Sequence, residues 1–284
     1  MKKIRLKILA SMIVSAALFS SCLDNPIDKE QYIQQVYLNG GGTEGNVFTQ
    51  DISASAIDTT YFSVCVSGSQ ATTSDANIVL AENDTTISIY NYKYRFDEAY
   101  KYLKMPSSAY SYDNSVILNA GNAYARVPIV IDATKLNPDS LYMIPIKIAK
   151  CNFPIVESDS VMLFTINFVN KYSGTYNTAA TYSGANNGSL SQTRTLKAID
   201  ANTVRFYMYS AANETVDNAA KYGVDMTIDP ATNNVSVTPF SQCNITNGSG
   251  TYYPNGKKYV VTFTYTDLSN KTTIYNITFT KASS

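Results

Sequence analysis

The chain of 284 residues contains no histidine. This absence excludes Ser-His-Asp and Cys-His activation of a nucleophile, and it excludes zinc or copper sites with histidine ligands. Carboxylate chemistry and calcium bound by oxygen atoms remain compatible with the composition. Glutamate is scarce, and no pair of carboxylates belongs to a recognisable glycosidase motif. Asp225 and Asp229 read as solvated turn carboxylates. We therefore predict a protein that is not an enzyme and that holds no metal or cofactor.

An excess of charge of one sign is also missing, because 22 basic residues face 22 acidic ones. Four of the basic residues lie within residues 1–21, so the remainder carries 18 basic and 22 acidic residues, a formal charge of −4. Nucleic-acid binding would require clustered lysine and arginine. We predict neither a nucleic-acid partner nor electrostatic attachment to a membrane.

The N-terminus has the pattern of a secretory signal peptide. Its basic head precedes an apolar stretch at residues 8–19, which is too short for a bilayer core of about 30 Å. Residues 18–22 resemble the lipobox of bacterial lipoproteins, in which the cysteine is acylated. We predict cleavage after residue 21, lipidation of Cys22 and a tether at residues 22–30. The protein is then held at the outer membrane by its lipid alone, facing the exterior, with a periplasmic orientation as the alternative.

Three cysteines remain after Cys22, at positions 65, 151 and 243, and their spacing matches no metal or redox motif. An odd number cannot pair completely within one chain. We expect buried free thiols. A disulfide between Cys65 and Cys151 is the alternative.

Nearly every readable segment alternates apolar and polar residues, which is typical of β-strands. The pattern predicts an all-β protein with a sandwich of antiparallel sheets at residues 31–170. A second domain at residues 171–284 reads as a small β-barrel or a second sandwich. The exceptions are a helix expected at residues 95–104 and a tyrosine-rich stretch at residues 90–112, which could cap the sandwich or form a binding surface.

Ordered motifs in the first domain resemble the uncharacterised N-terminal domain of Bacteroides cell-surface lipoproteins encoded beside polysaccharide-uptake transporters. They are QYIQQVYL at 31–38, LAENDTT at 80–86, KYRFD at 93–97, LKMPSS at 103–108, YARVPI at 124–129 and SLYMIPI at 140–146. The second domain is similar to a lipocalin-like barrel, through SGTY at 173–176, RTLKAID at 194–200, NTV at 202–204 and YYP at 252–254.

The resemblance implies an immunoglobulin-like sandwich followed by a lipocalin-like barrel. It also implies a surface protein that binds an oligosaccharide or polysaccharide, with an outer-membrane glycan transporter as a partner. The alternative is a structural spacer or adhesin-like protein without a small ligand. The absence of tryptophan, the ring most used to stack on sugars, weakens the glycan interpretation.

Because the first domain accompanies many different modules in the family, we place the expected ligand site on the second domain. Tyr252 and Tyr253 are adjacent in a segment at residues 248–256 that glycine and proline mark as a loop. Asn244, Asn247 and Asn255 could hydrogen-bond sugar hydroxyls while a ring stacks on a sugar face. We expect truncation of either tyrosine to weaken binding without lowering the melting temperature. Loop rings folded back over the barrel mouth are the structural alternative.

Overall fold

The structure is a computed structural model that describes residues 30–40, 45–96, 101–208 and 216–282, with side chains from residue 219 onward in the last range. The signal peptide, Cys22 and most of the tether lie outside the described residues. Within the described residues the chain is all-β, as the alternating pattern predicted. No helix of this part is long and apolar enough to cross a membrane.

Ten strands form the N-terminal domain, and they belong to two sheets that face each other across one core. They are β1 Val36–Leu38, β2 Val47–Ser53, β3 Ile57–Val66, β4 Ala76–Glu82, β5 Leu103–Lys104, β6 Tyr110–Tyr112, β7 Ser115–Leu118, β8 Tyr124–Asp132, β9 Tyr142–Cys151 and β10 Val161–Val169. Sheet A has the order β1-β3-β8-β6, and sheet B has the order β2-β10-β9-β4-β7, with β5 added beside β9. Two pairs, β2–β10 and β5–β9, are parallel, so the expected purely antiparallel sandwich is wrong at these strands.

The helix of this domain lies before the expected position. Helix α1 spans Thr85–Tyr94, and Arg95 leaves the helical conformation at φ −135° and ψ 78°. The expectation of a helix at residues 95–104 is therefore wrong for the described residues of this stretch, 95–96 and 101–104. Leu103 and Lys104 belong instead to β5, where the Leu103 amide donates to the Leu141 carbonyl at 2.8 Å. Pairing with β9 gives the backbone groups of these residues hydrogen-bond partners in an extended conformation. This pairing outweighs their local preference for a helix.

The C-terminal domain is a closed eight-stranded barrel in which each strand pairs with its neighbours in antiparallel fashion. Its elements are β11 Gly174–Gly184, β12 Gly188–Ala198, β13 Thr203–Tyr207, helix α2 Val216–Tyr222, β14 Gly223–Ile228, β15 Asn234–Pro239, β16 Ile245–Tyr253, β17 Lys258–Thr266 and β18 Thr272–Lys281. Pairing of β18 with β11 closes the barrel and leaves no free edge. The barrel prediction is confirmed.

The interior of the barrel is a packed core. Buried rings of Tyr176, Tyr259, Phe263 and Phe279 fill its centre, each at most 1% exposed. One interior space, lined in part by Phe206, Tyr275 and Ile277, has a volume of about 20 Å³, which is too small for a sugar ring. The packed core makes the outer surface of the barrel the better candidate for a ligand site.

The two domains meet at a buried group of charges. Arg205 of β13 donates to Asp225 of β14 at 2.6 Å and, from its other side, to Asp139 of the N-terminal domain, also at 2.6 Å. The Arg205 side chain is 2% exposed and Asp139 is 7% exposed. Asp225 is thus a member of an ion pair, and its interpretation as a turn carboxylate was wrong. The segment between the two domains is also held in place. The Asn170 side-chain amide donates to the carbonyls of Asp200 and Thr203, and Tyr172 is 1% exposed.

The cysteines are free thiols in the described residues, with Cys65 and Cys243 buried and Cys151 half-buried. Burial raises the pKa of Cys243 to about 11. The free thiols agree with the first expectation, and the Cys65–Cys151 disulfide is absent.

Candidate functional site

The segment expected to be a loop around Tyr252 is a strand. Residues 245–253 form β16, and only residues 254–256 form a turn. The glycines of this segment suggested a loop, but in the structure they allow neighbouring strands to approach each other closely. A Cβ atom on Gly248 would lie 2.0 Å from the Val237 carbonyl oxygen, and one on Gly250 would lie 2.4 Å from that of Val260. The glycines are required by packing between strands, so the loop prediction was wrong.

Tyr252 and Tyr253 point to opposite sides of the barrel wall. Tyr252 is 7% exposed, and its ring centroid lies 5.1 Å from that of Tyr172 and 4.8 Å from that of Tyr259. Burial raises its pKa. The ring therefore belongs to the core and offers no face to a ligand. Tyr253 is 50% exposed on the outer surface, because side chains alternate along a strand.

The three asparagines are not brought together. Asn244 precedes β16 and Asn255 follows it, so this strand of nine residues separates them by about 30 Å at about 3.3 Å per residue. Asn247 lies between them at an irregularity of β16, with φ +52°. All three side chains are exposed. A single sugar cannot contact all of them, but Tyr253 remains available at one end of β16.

An open groove with a volume of about 740 Å³ lies on the outside of the barrel. It crosses the neighbouring strands β12, β11, β18, β17 and β16. Small outward side chains form its floor in two rows that follow the strand pairing. The first row is Ser191, Ala179, Thr278 and Val260, and the second is Ser189, Thr181, Asn276, Thr262 and Ser249.

The shape of the groove follows from side-chain size on a curved wall. Barrel walls are saddle-shaped because the strands twist and tilt, so small residues at the waist leave a depression. A larger exposed side chain borders the floor on each side. On one side, Ile274 lies two positions before Asn276. On the other side, Tyr253 lies two positions after Thr251, which pairs with Val260. We call the floor with Tyr253 at its rim the barrel groove.

The chemistry of the barrel groove is neutral. Hydroxyl groups and the Asn276 amide provide donors and acceptors, and Ala179 and Val260 provide apolar contacts. No charged side chain is among the groove residues in the described part of the chain. No group of three or more residues that could hold a metal ion occurs in the same part of the chain. The groove suits a neutral, polyhydroxylated ligand.

Sequence reasoning missed this floor. Its residues come from strands far apart in the sequence, since Ala179 of β11 meets Thr278 of β18, which is 99 positions later. A signal was present in the middle of β11, β17 and β18, where the outward residues that alternate with core residues are small, such as Ala179, Thr262 and Thr278. Their proximity depends on the closure of the barrel.

Two family models match the chain. One is described as an N-terminal domain and matches residues 29–152, and the other is described as a C-terminal domain and matches residues 160–281. Each match covers less than half of the chain, and the second includes β10 of the sandwich together with the barrel. No curated protein sequence matches the chain.

Several solved structures share the fold across both domains. One is a multidomain protein including DUF1735 from Bacteroides ovatus, with 14% identity and a TM-score of 0.67 over 87% of this chain and 94% of that one. Another is a protein of unknown function from the same organism, with 16% identity and a TM-score of 0.65 over 86% and 90%. A third is an auxiliary nutrient binding protein from Bacteroides thetaiotaomicron, with 14% identity and a TM-score of 0.64 over 84% and 92%. At these identities the likeness shows the fold.

Proposed function

We propose that this protein is a non-catalytic, lipid-anchored component of a polysaccharide-uptake system and that it binds a neutral glycan in the barrel groove. The observation that carries the proposal is a groove of about 740 Å³ whose floor holds hydroxyls, one amide and small apolar groups. Sugars offer both hydroxyls and apolar ring faces, and ordered polar contacts give a binding site its specificity. The exposed Tyr253 adds a ring at the rim.

The comparisons support this proposal indirectly. A protein that shares the fold is described as an auxiliary nutrient binding protein. An outer-membrane glycan transporter is the partner that we propose for the anchored chain. Because the core of the barrel is packed, we propose that the glycan lies outside, where a long polysaccharide can cross several strands without its ends being enclosed.

Membrane attachment through Cys22 is part of the proposal and has its own test. Cys22→Ala removes the acylation site, so we expect the protein to move from the membrane fraction to the soluble fraction. A Cys151→Ala variant, which removes a half-buried thiol, is the control and should stay with the membrane. Retention of the Cys22→Ala protein would place the anchor elsewhere. Protease treatment of intact cells distinguishes an outward from a periplasmic orientation.

A structural spacer is the second candidate function, and the joint between the domains favours it. Arg205 is buried and forms ion pairs with both domains, and Tyr172 in the segment that connects the domains is buried as well. These contacts hold the two domains in a fixed orientation. Such rigidity would suit a protein that displays another component at a set distance from the membrane.

Affinity electrophoresis separates these two functions. The chain from Asp24 onward, which contains every described residue, should be retarded by at least one neutral polysaccharide of a panel from plant and host sources. Asn276→Ala should reduce the retardation, because the exposed amide has a central place in the second row. Absence of retardation by all neutral polymers would favour the spacer.

A further inference from the structure

The outer face of sheet A carries exposed aromatic rings that no element of the described chain covers. Tyr61 of β3 is 41% exposed, and Tyr124 of β8 is 57% exposed. Both point away from the core, since their neighbours Phe62 and Ala125 are part of it or pack against it. The two strands are directly paired, so the rings share one flat surface.

A guanidinium lies between these rings. Arg126 is two positions after Tyr124 on β8, and its partner on β3 is Ser63, two positions after Tyr61. The Arg126 guanidinium carbon lies over the Tyr61 ring, 4.1 Å from its centroid, in a cation–π contact. We call Tyr61, Tyr124 and Arg126 the tyrosine–arginine platform.

In the described part of the chain, Arg126 makes no ion pair, and it contacts the ring of Tyr61. Two acidic side chains near the edges of this sheet have other partners. Asp132, at the far end of β8, bridges Lys135 at 3.1 Å. Asp159 lies beyond β1 beside Tyr37, whose pKa is raised by burial and by the neighbouring Cys65 and Asp159.

We propose that the tyrosine–arginine platform binds an acidic saccharide, such as a chain of uronic acid units. The planar guanidinium of Arg126 can bind a carboxylate through two parallel hydrogen bonds. Its stacking on Tyr61 fixes the orientation of the guanidinium before the ligand binds. The exposed ring of Tyr124 offers an apolar face to the neighbouring sugar, at about 6.6 Å along the strand for a separation of two residues. This site is separate from the barrel groove, whose residues carry no charge, and it does not depend on the proposed function.

Polygalacturonate is the probe that tests the platform, with dextran and poly-L-glutamate as comparison polymers. The chain from Asp24 onward should be retarded by polygalacturonate, and Arg126→Gln should reduce this retardation without changing any retardation by dextran at equal concentration. Arg126→Gln should weaken polygalacturonate binding about tenfold, since it removes a charge-assisted contact of about 1.4 kcal/mol. Tyr124→Ala should weaken it about fivefold, and Arg126→Lys should be intermediate because it keeps the charge but not the planar guanidinium.

One control comes from each domain. Arg95 also stacks on a tyrosine, 5.2 Å from the Tyr102 ring centroid, so Arg95→Gln removes an equivalent pair outside the platform and should leave binding unchanged. Asn276→Ala should also leave polygalacturonate binding unchanged, which separates this site from the barrel groove. Equal retardation of wild type and Arg126→Gln would overturn the proposal. Binding of poly-L-glutamate as strong as that of polygalacturonate would overturn it as well, because simple charge would then suffice.

Discussion

Arg205→Met should destabilise the protein by about 3–5 kcal/mol, the cost of removing one partner from a buried ion pair. The guanidinium binds Asp225 through two nitrogens at 2.6 and 3.1 Å, binds Asp139 at 2.6 Å, and lies 3.5 Å from the ring centroid of Phe240. Burial alone would lower the pKa of Arg205, but the hydrogen bonds and charges of Asp225 and Asp139 outweigh it and raise that pKa. Without the arginine, both carboxylates stay in a poorly solvated joint.

Urea unfolding followed by circular dichroism measures this loss. Arg126→Met is the control, because Arg126 makes no ion pair in the described structure and its change should cost at most about 1 kcal/mol. Arg205→Lys should lose less than Arg205→Met since a charge is retained. The same small loss for Arg205→Met and Arg126→Met would mean that the joint does not contribute to stability.

Tyr252→Ala should also lower stability strongly, by about 3–5 kcal/mol, as expected for removal of a large ring from a packed core. Its neighbour Tyr253 provides the matched control. Tyr253→Ala removes the same atoms from a half-exposed position and should change the free energy of unfolding by about 0.5 kcal/mol or less. Thermal unfolding of the two variants is the measurement. Similar melting temperatures for both would contradict the position of Tyr252 between Tyr172 and Tyr259.

The sequence predicted the strands of the barrel because one side of each strand is buried. Tyr259, Val261 and Phe263 face the core, and the residues between them, Val260 and Thr262, face outward. Burial enforces this period of two, so it is visible without knowledge of the partner strands. The sequence pattern wrongly predicted a loop at Gly248 and Gly250. There, glycine is needed because neighbouring strands leave no room for a Cβ atom.

Features that depend on distant partners could not be predicted in this way. Asp139 and Arg205 are 66 positions apart, and nothing in either local sequence indicates their contact. The floor of the barrel groove has the same property, because Ala179 meets Thr278 only through closure between β11 and β18. Tyr61 and Arg126 likewise meet through the pairing of β3 with β8.

A bulky side chain at the centre of the barrel groove tests the central claim most directly. Ala179 is exposed and lies between Ser191 and Thr278 in the first row, so Ala179→Arg fills the groove without disturbing the core. Thr195→Arg, on the exposed side of β12 four positions beyond Ser191, is the matched control. The measurement is the dissociation constant for the neutral polysaccharide that most strongly retards the wild-type chain. We expect Ala179→Arg to weaken binding at least about tenfold, or about 1.4 kcal/mol, while Thr195→Arg binds as the wild type does. Unchanged affinity of Ala179→Arg would contradict a glycan site in the groove.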